Sequence, residues 1–222
     1  MPGKNIVLCS DGTGNTAIKA RGTNVFKLYE AVDIQGHKYD HTLTPQVAFY
    51  DDGVGTSSLA PLKVIGGAFG FGFGKNVKEL YTELIHVYEP GDRLFLFGFS
   101  RGAYTVRALS GLIQYCGIVD TKKVSHKVLK QRVNECWTAF RREAFKPVTK
   151  DERRNNQPSS DMVKQDRARR ELCGAVIHDE HVPDGAVTID FVGVWDTVGA
   201  VGMPFEDCAT CSIGSTPCGF LN

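Results

Sequence analysis

The 222-residue sequence has no apolar stretch approaching the roughly 20 residues that a membrane-spanning helix requires. It lacks an excess of either charge: 26 Lys and Arg stand against 25 Asp and Glu, a formal net charge of +1. Nucleic acid ordinarily demands a basic face, so no such partner is expected. The opening "MPGKNIVLCSDG" carries no signal-peptide apolar region before its first strand-like run. Seven cysteines, at 9, 116, 136, 173, 208, 211 and 218, form no spaced framework over most of the chain. An odd count without a leader favours reduced thiols over disulfides. No internal repeat is present either. What remains is a soluble, cytoplasmic protein long enough for one domain with a real core, with export by a route needing no signal peptide left open.

Apolar runs and helical periods alternate along the first half. Ile6–Cys9 reads as a buried strand stopped by Asp-Gly, and 24–32 as a helix with Val25, Leu28, Ala31 and Val32 on one face. A second strand is expected in "QVAFYDDGVGT" (46–56). A loop rich in Gly and Phe follows at 66–76, then a helix over 76–88 that ends before Pro90. The phenylalanines of that loop suit either an apolar flap or ordinary core packing. "RLFLFGF" (93–99) is the third strand and 103–115 the third helix; "AVTIDFVGVWDTVG" (186–199) restores the strand pattern. Such alternation predicts an α/β fold with a mostly parallel sheet, strand two at one edge, then one, three and four. Residues of about 120–185 are charged and mostly helical, as in a cap-like insertion, and 206–222 form an atypical tail without period.

The richest stretch is Gly98-Phe99-Ser100-Arg101-Gly102, a G-x-S-x-G between a strand and a helix. A serine on so sharp a turn has a strained backbone, so its neighbours at −2 and +2 must be tiny. The turn aims the hydroxyl outward at the sheet's C-terminal edge, and the Arg101 N–H at the helix start is placed to stabilise an oxyanion. A bland left-handed turn is the alternative. Asp196 ends the next strand and reaches the same edge, as a catalytic acid would; a strand-end capping aspartate is the competing reading. Asp11, Gly12 and Thr13 end the first strand at that edge, as an oxyanion or substrate loop or as a plain turn.

Other motifs fall short. Cys9 stands where the D-x-D-G-T phosphatase signature has its nucleophilic aspartate, and Phe69 and Asn76 break a Walker pattern around Gly74-Lys75. "HDEH" (178–181) and "CATC" (208–211) lack a second pair at fixed spacing. No metal and no cofactor are therefore expected.

Together, "LCSDGTGN", "TNVFKLYEAV", "FYDDGVGT", "GGAFGFGFGKNVKELY", "YEPGDRLFLFGFSRGAYTVRALSGLI" and "FVGVWDTVGAVG" resemble an α/β-hydrolase family, long labelled a domain of unknown function, that includes the catalytic domain of type VI secretion phospholipase effectors. The resemblance spans about residues 4–205, leaving only the charged insert unmatched. It implies one α/β-hydrolase-like domain over 1–205. It also implies a serine hydrolase cleaving carboxylic esters, of phospholipids above all, with Ser100 as nucleophile and Asp196 as acid. One departure stands out. The family order places a histidine after the acid, yet all six histidines, 37, 41, 86, 126, 178 and 181, precede Asp196. The expectation is a C-terminally incomplete chain, slow as an enzyme and prone to oligomerise through an exposed sheet edge. The rivals are a non-catalytic hydrolase-fold fragment and, more weakly, a phosphatase built on Asp11.

Overall fold

Four consecutive apolar residues in Ile6–Cys9 suit a strand covered on both faces, and Ile6, Leu8 and Cys9 are completely buried in β1 (Asn5–Ser10). In the computed structural model, which describes residues 3–12, 22–53, 69–122, 124–144, 168–174 and 187–197, β1 pairs in parallel with β2 (Gln46–Asp51) and β3 (Arg93–Phe99). Strand β4 (Ile189–Trp195) adds to β3, also in parallel, giving the order β2-β1-β3-β4. The expected α/β class and strand order are both found. Successive connections run outward from β1 to β2, then back across to β3, so the winding reverses between β1 and β3. In open parallel sheets ligands bind in the crevice beyond the strand C-termini at such a reversal.

Helix α1 (Asn24–Ala31) starts where Thr23 accepts a hydrogen bond from the Phe26 N–H. Val25 of this helix is buried against Val7 and Cys9, with Leu28, Tyr29, Tyr50, Phe95, Phe97 and Trp195 packed around them. Phe97 and Phe191 lie with ring centroids 5.4 Å apart, and Gly193, level with Phe97, leaves the room: a Cβ there would meet the Phe97 ring at 2.8 Å. At the other end of β4 the register slips between Leu94 and Phe95. The extra residue is Asp190, whose carboxylate accepts from the Leu94 N–H at 3.0 Å and Arg93 Nε at 2.9 Å.

One expectation needs correcting. Residues 69–76 are not loop: helix α2 spans Phe69–Val87. Glycines at 70, 72 and 74 argue for loop by propensity, each costing up to about 1 kcal/mol in a helix. Phe73, Val77, Leu80, Tyr81 and Leu84 nevertheless form one buried stripe, and Phe73 packs on Tyr104 with centroids 4.8 Å apart. Burial of that stripe outweighs the glycine cost. The second strand stops at the first aspartate of "DDG", Asp51, and the fourth at Trp195.

The chain divides into two compact units, Met1–Ser110 with Thr188–Asn222, and Gly111–Val187. The sheet belongs to the first. The second holds the end of helix α3 (Arg101–Cys116), helix α4 (His126–Ala144) and the helical residues 168–172. The α4 face of Leu129, Val133, Cys136, Trp137 and Phe140 is buried, and Phe140 reaches Gly111, where a Cβ would sit 3.0 Å from its ring. The charged insertion expected at 120–185 falls within this unit; its 145–167 and 175–186 stretches, and the tail from 198, lie outside the described residues.

Candidate active site

Strand β3 ends at Phe99 and α3 begins at Arg101, so Ser100 alone makes the turn. Its φ is +54°, a left-handed conformation that costs a non-glycine residue about 1–2 kcal/mol. Ser100 is held there by its N–H, which donates to the Trp195 carbonyl at 2.9 Å, and by close packing on both sides. A Cβ on Gly98 would lie 2.5 Å from Ala103 Cα and 2.6 Å from the Gly102 carbonyl oxygen. A Cβ on Gly102 would collide with the Ser10 carbonyl and sit 2.6 Å from that of Asp11. Both glycines are thus required by contact with backbone, which cannot yield. Ser100 and Arg101 are half-buried, and burial lowers the Arg101 pKa.

Trp195 lies level with Phe99, so Asp196 follows at the same edge as Ser100. Its φ is +46° and its side chain is exposed. Among the described residues, Ser100 and Asp196 are the non-glycine residues with positive φ.

Asp11 is placed differently from a substrate-facing group. It is completely buried, and its carboxylate accepts from the Tyr50 hydroxyl (2.8 Å), the Thr23 hydroxyl (2.6 Å) and the Gly12 N–H (2.7 Å). It therefore ties β1, β2 and the start of α1 together. A buried carboxylate so held is a poor phosphoryl acceptor, which weakens the phosphatase reading. The Gly12 N–H points to Asp11, and Thr13 lies outside the described residues. Beside it, Asp51 accepts from Ser10 Oγ at 2.8 Å and Asn76 Nδ2 at 3.0 Å, and burial raises its pKa. The Tyr50 hydroxyl pKa rises too, through burial first and then its bond to Asp11. Tyr50, Asp51, Asn76 and Thr23 carry no sequence signal for this network.

The described histidines lie elsewhere. His37, in the single turn Gly36–Lys38, shares a small cavity with Asn5 and Gln46, the first residues of β1 and β2. His41 precedes β2, and His86 ends α2 just before β3. All three belong to the sheet's N-terminal edge, a strand length of about 20 Å from Ser100 at about 3.3 Å per residue. The side chain of His126, and His178 and His181, are outside the described residues.

The strained serine stands where a parallel strand meets a helix, beside the winding reversal of an α/β sheet. The chain belongs to the family described as T6SS phospholipase effector Tle1-like, catalytic domain, whose model matches residues 4–217. It is also similar to an uncharacterized protein of Saccharomyces cerevisiae, YEL023C, with 26% identity over 214 residues. That match covers 90% of this chain and 27% of the yeast protein, so the chain spans about a quarter of its relative's length. No solved structure matches it significantly. Among the described residues no helix is long and apolar enough to cross a membrane.

Proposed function

We propose that this chain is a serine hydrolase that cleaves carboxylic esters of phospholipids. The observation that carries the reading is the left-handed Ser100, wedged between two glycines at which any Cβ would collide with backbone. Such strain persists only where surrounding structure enforces it, and it clusters at reactive groups. In this reading Ser100 Oγ attacks the ester carbonyl carbon and yields its proton to a base. The carbonyl oxygen becomes an oxyanion beside the N-terminus of α3, with the Arg101 N–H as one donor. The alcohol departs with a proton returned by the base, leaving an acyl-Ser100 ester that water then cleaves. Asp196 orients the base; Asp11 positions the Gly12–Thr13 loop without touching substrate. The base is a histidine other than His37, His41 and His86, whose edge of the sheet is too remote.

That remoteness also favours a second reading, a hydrolase-fold module that binds without turnover. Fatty-acid release from phosphatidylcholine and phosphatidylethanolamine vesicles separates the two. The hydrolase reading expects Ser100→Ala to lower release on the order of 10³-fold or more in a folded protein. Equal, background release from both proteins would establish the second reading instead.

A further inference from the structure

Cys116, Cys136 and Cys173 come from three different segments of the second unit: the end of α3, the middle of α4 and residues 168–174. Their sulfur atoms all lie within 4.8 Å of one another. Cys116 and Cys136 are completely buried, while Cys173 is half-buried. The third segment is pinned against the end of α3. Arg169 Nε donates to the Tyr115 carbonyl and Arg170 to that of Gln114, each at 2.8 Å, satisfying last-turn oxygens that no helical N–H reaches. Asp120 N–H donates to the Gly174 carbonyl at 2.7 Å, and Arg132 of α4 to the Leu172 carbonyl at 3.1 Å. Cys173 is thereby fixed opposite the other two thiols, with Arg132 and Arg169 close by.

We propose that these three cysteines form a binding site for a thiophilic d¹⁰ cation, Zn²⁺ being the divalent case. Zinc–thiolate bonds of about 2.3 Å put sulfurs about 3.8–4.0 Å apart, so only a small adjustment from the present spacing closes the site. Binding releases the three thiol protons to solvent and forms three metal–sulfur bonds. The resulting complex of three thiolates and one divalent cation carries a net charge of −1, which Arg132 and Arg169 offset. The half-exposed side at Cys173 leaves a fourth position for water. Its role is to clip three segments of the second unit together, alongside the arginine bonds and the α4 stripe. Sequence spacing hides the site, since Cys116 and Cys136 alone stand 20 residues apart and no paired motif links the three. The site is independent of the hydrolase reading and reverses the expectation that no metal is bound.

The test is anaerobic titration of the reduced, metal-stripped full chain with Co²⁺, followed by Zn²⁺. One equivalent of Co²⁺ should produce thiolate-to-cobalt charge-transfer absorption that Zn²⁺ abolishes. Cys173→Ser, at the half-buried ligand, should weaken binding at least about tenfold with unchanged circular dichroism. A Cys208→Ser/Cys211→Ser chain should bind as the parent does. No charge transfer from the folded parent overturns the proposal. So does binding that survives Cys173→Ser or is lost with Cys208 and Cys211. Two thiols missing from the count in denaturant without reductant, with a disulfide mapped within the trio in protein as isolated, would overturn it in favour of a disulfide.

Discussion

The two edges of the one sheet are closed by different physics. At the N-terminal edge opposite charges meet. The buried Asp92 carboxylate pairs with Lys4 Nζ and also accepts from the Lys4 and Glu89 N–H groups, while Arg93 pairs with Asp190 at 2.9 Å. At the C-terminal edge Asp51 is held by neutral donors, and Asp11 takes hydroxyls and a backbone N–H. Left-handed backbone there falls on Gly53 but also on two non-glycine residues, Ser100 and Asp196, whereas the turn before β3 gives it to a glycine, Gly91. The N-terminal edge has a close glycine approach as well, since a Cβ on Gly3 would collide with the Gly91 carbonyl, but its left-handed position is itself a glycine. What sets the C-terminal edge apart is left-handed backbone at residues other than glycine, which persists only where surrounding structure enforces it.

That contrast is open to direct attack. Gly102→Val should be the most damaging change, since its side chain meets the Ser10 and Asp11 carbonyls. We expect a loss of more than about 3 kcal/mol in denaturant unfolding; a variant as stable as the parent would dissolve the argument from close backbone contact. Lys4→Ala should cost about 2 kcal/mol, because Asp92 keeps two N–H donors but loses its cation while only 3% of its side chain is exposed. Ester hydrolysis should be unaffected by that change, and a large loss of activity would blur the division between the edges. Ser100→Gly should be the smallest and run the other way, more stable than Ser100→Ala by about 1 kcal/mol as the left-handed strain is relieved. Equal stability would mean that Ser100 is not strained.

How much of this was legible in the sequence depends on distance along the chain. The sharp turn at Ser100 was, because its glycines, strand and helix are contiguous and each carries its own signal. Strand order followed from the alternation of elements. The start of α2 was misjudged because Gly70, Gly72 and Gly74 speak for loop locally, while the Phe73 stripe that overrules them is rewarded only by burial against partners such as Tyr104. The carboxylate network around Asp11 and Asp51, and the three-cysteine cluster, depend on side chains brought together from separate elements. Neither spacing nor period encodes such meetings. Cys9 shows the same limit: its burial, with the nearby Asp11 charge, pushes its thiol up to about 12, and nothing in the string around it signals that.

The central claim is that Ser100 is the nucleophile, and covalent labelling tests it most directly. The folded chain would be treated with a fluorophosphonate, its intact mass measured and the modified peptide sequenced. The account predicts a single adduct on Ser100, absent from Ser100→Ala. A folded chain that stays unmodified, or one labelled at another residue, would contradict it.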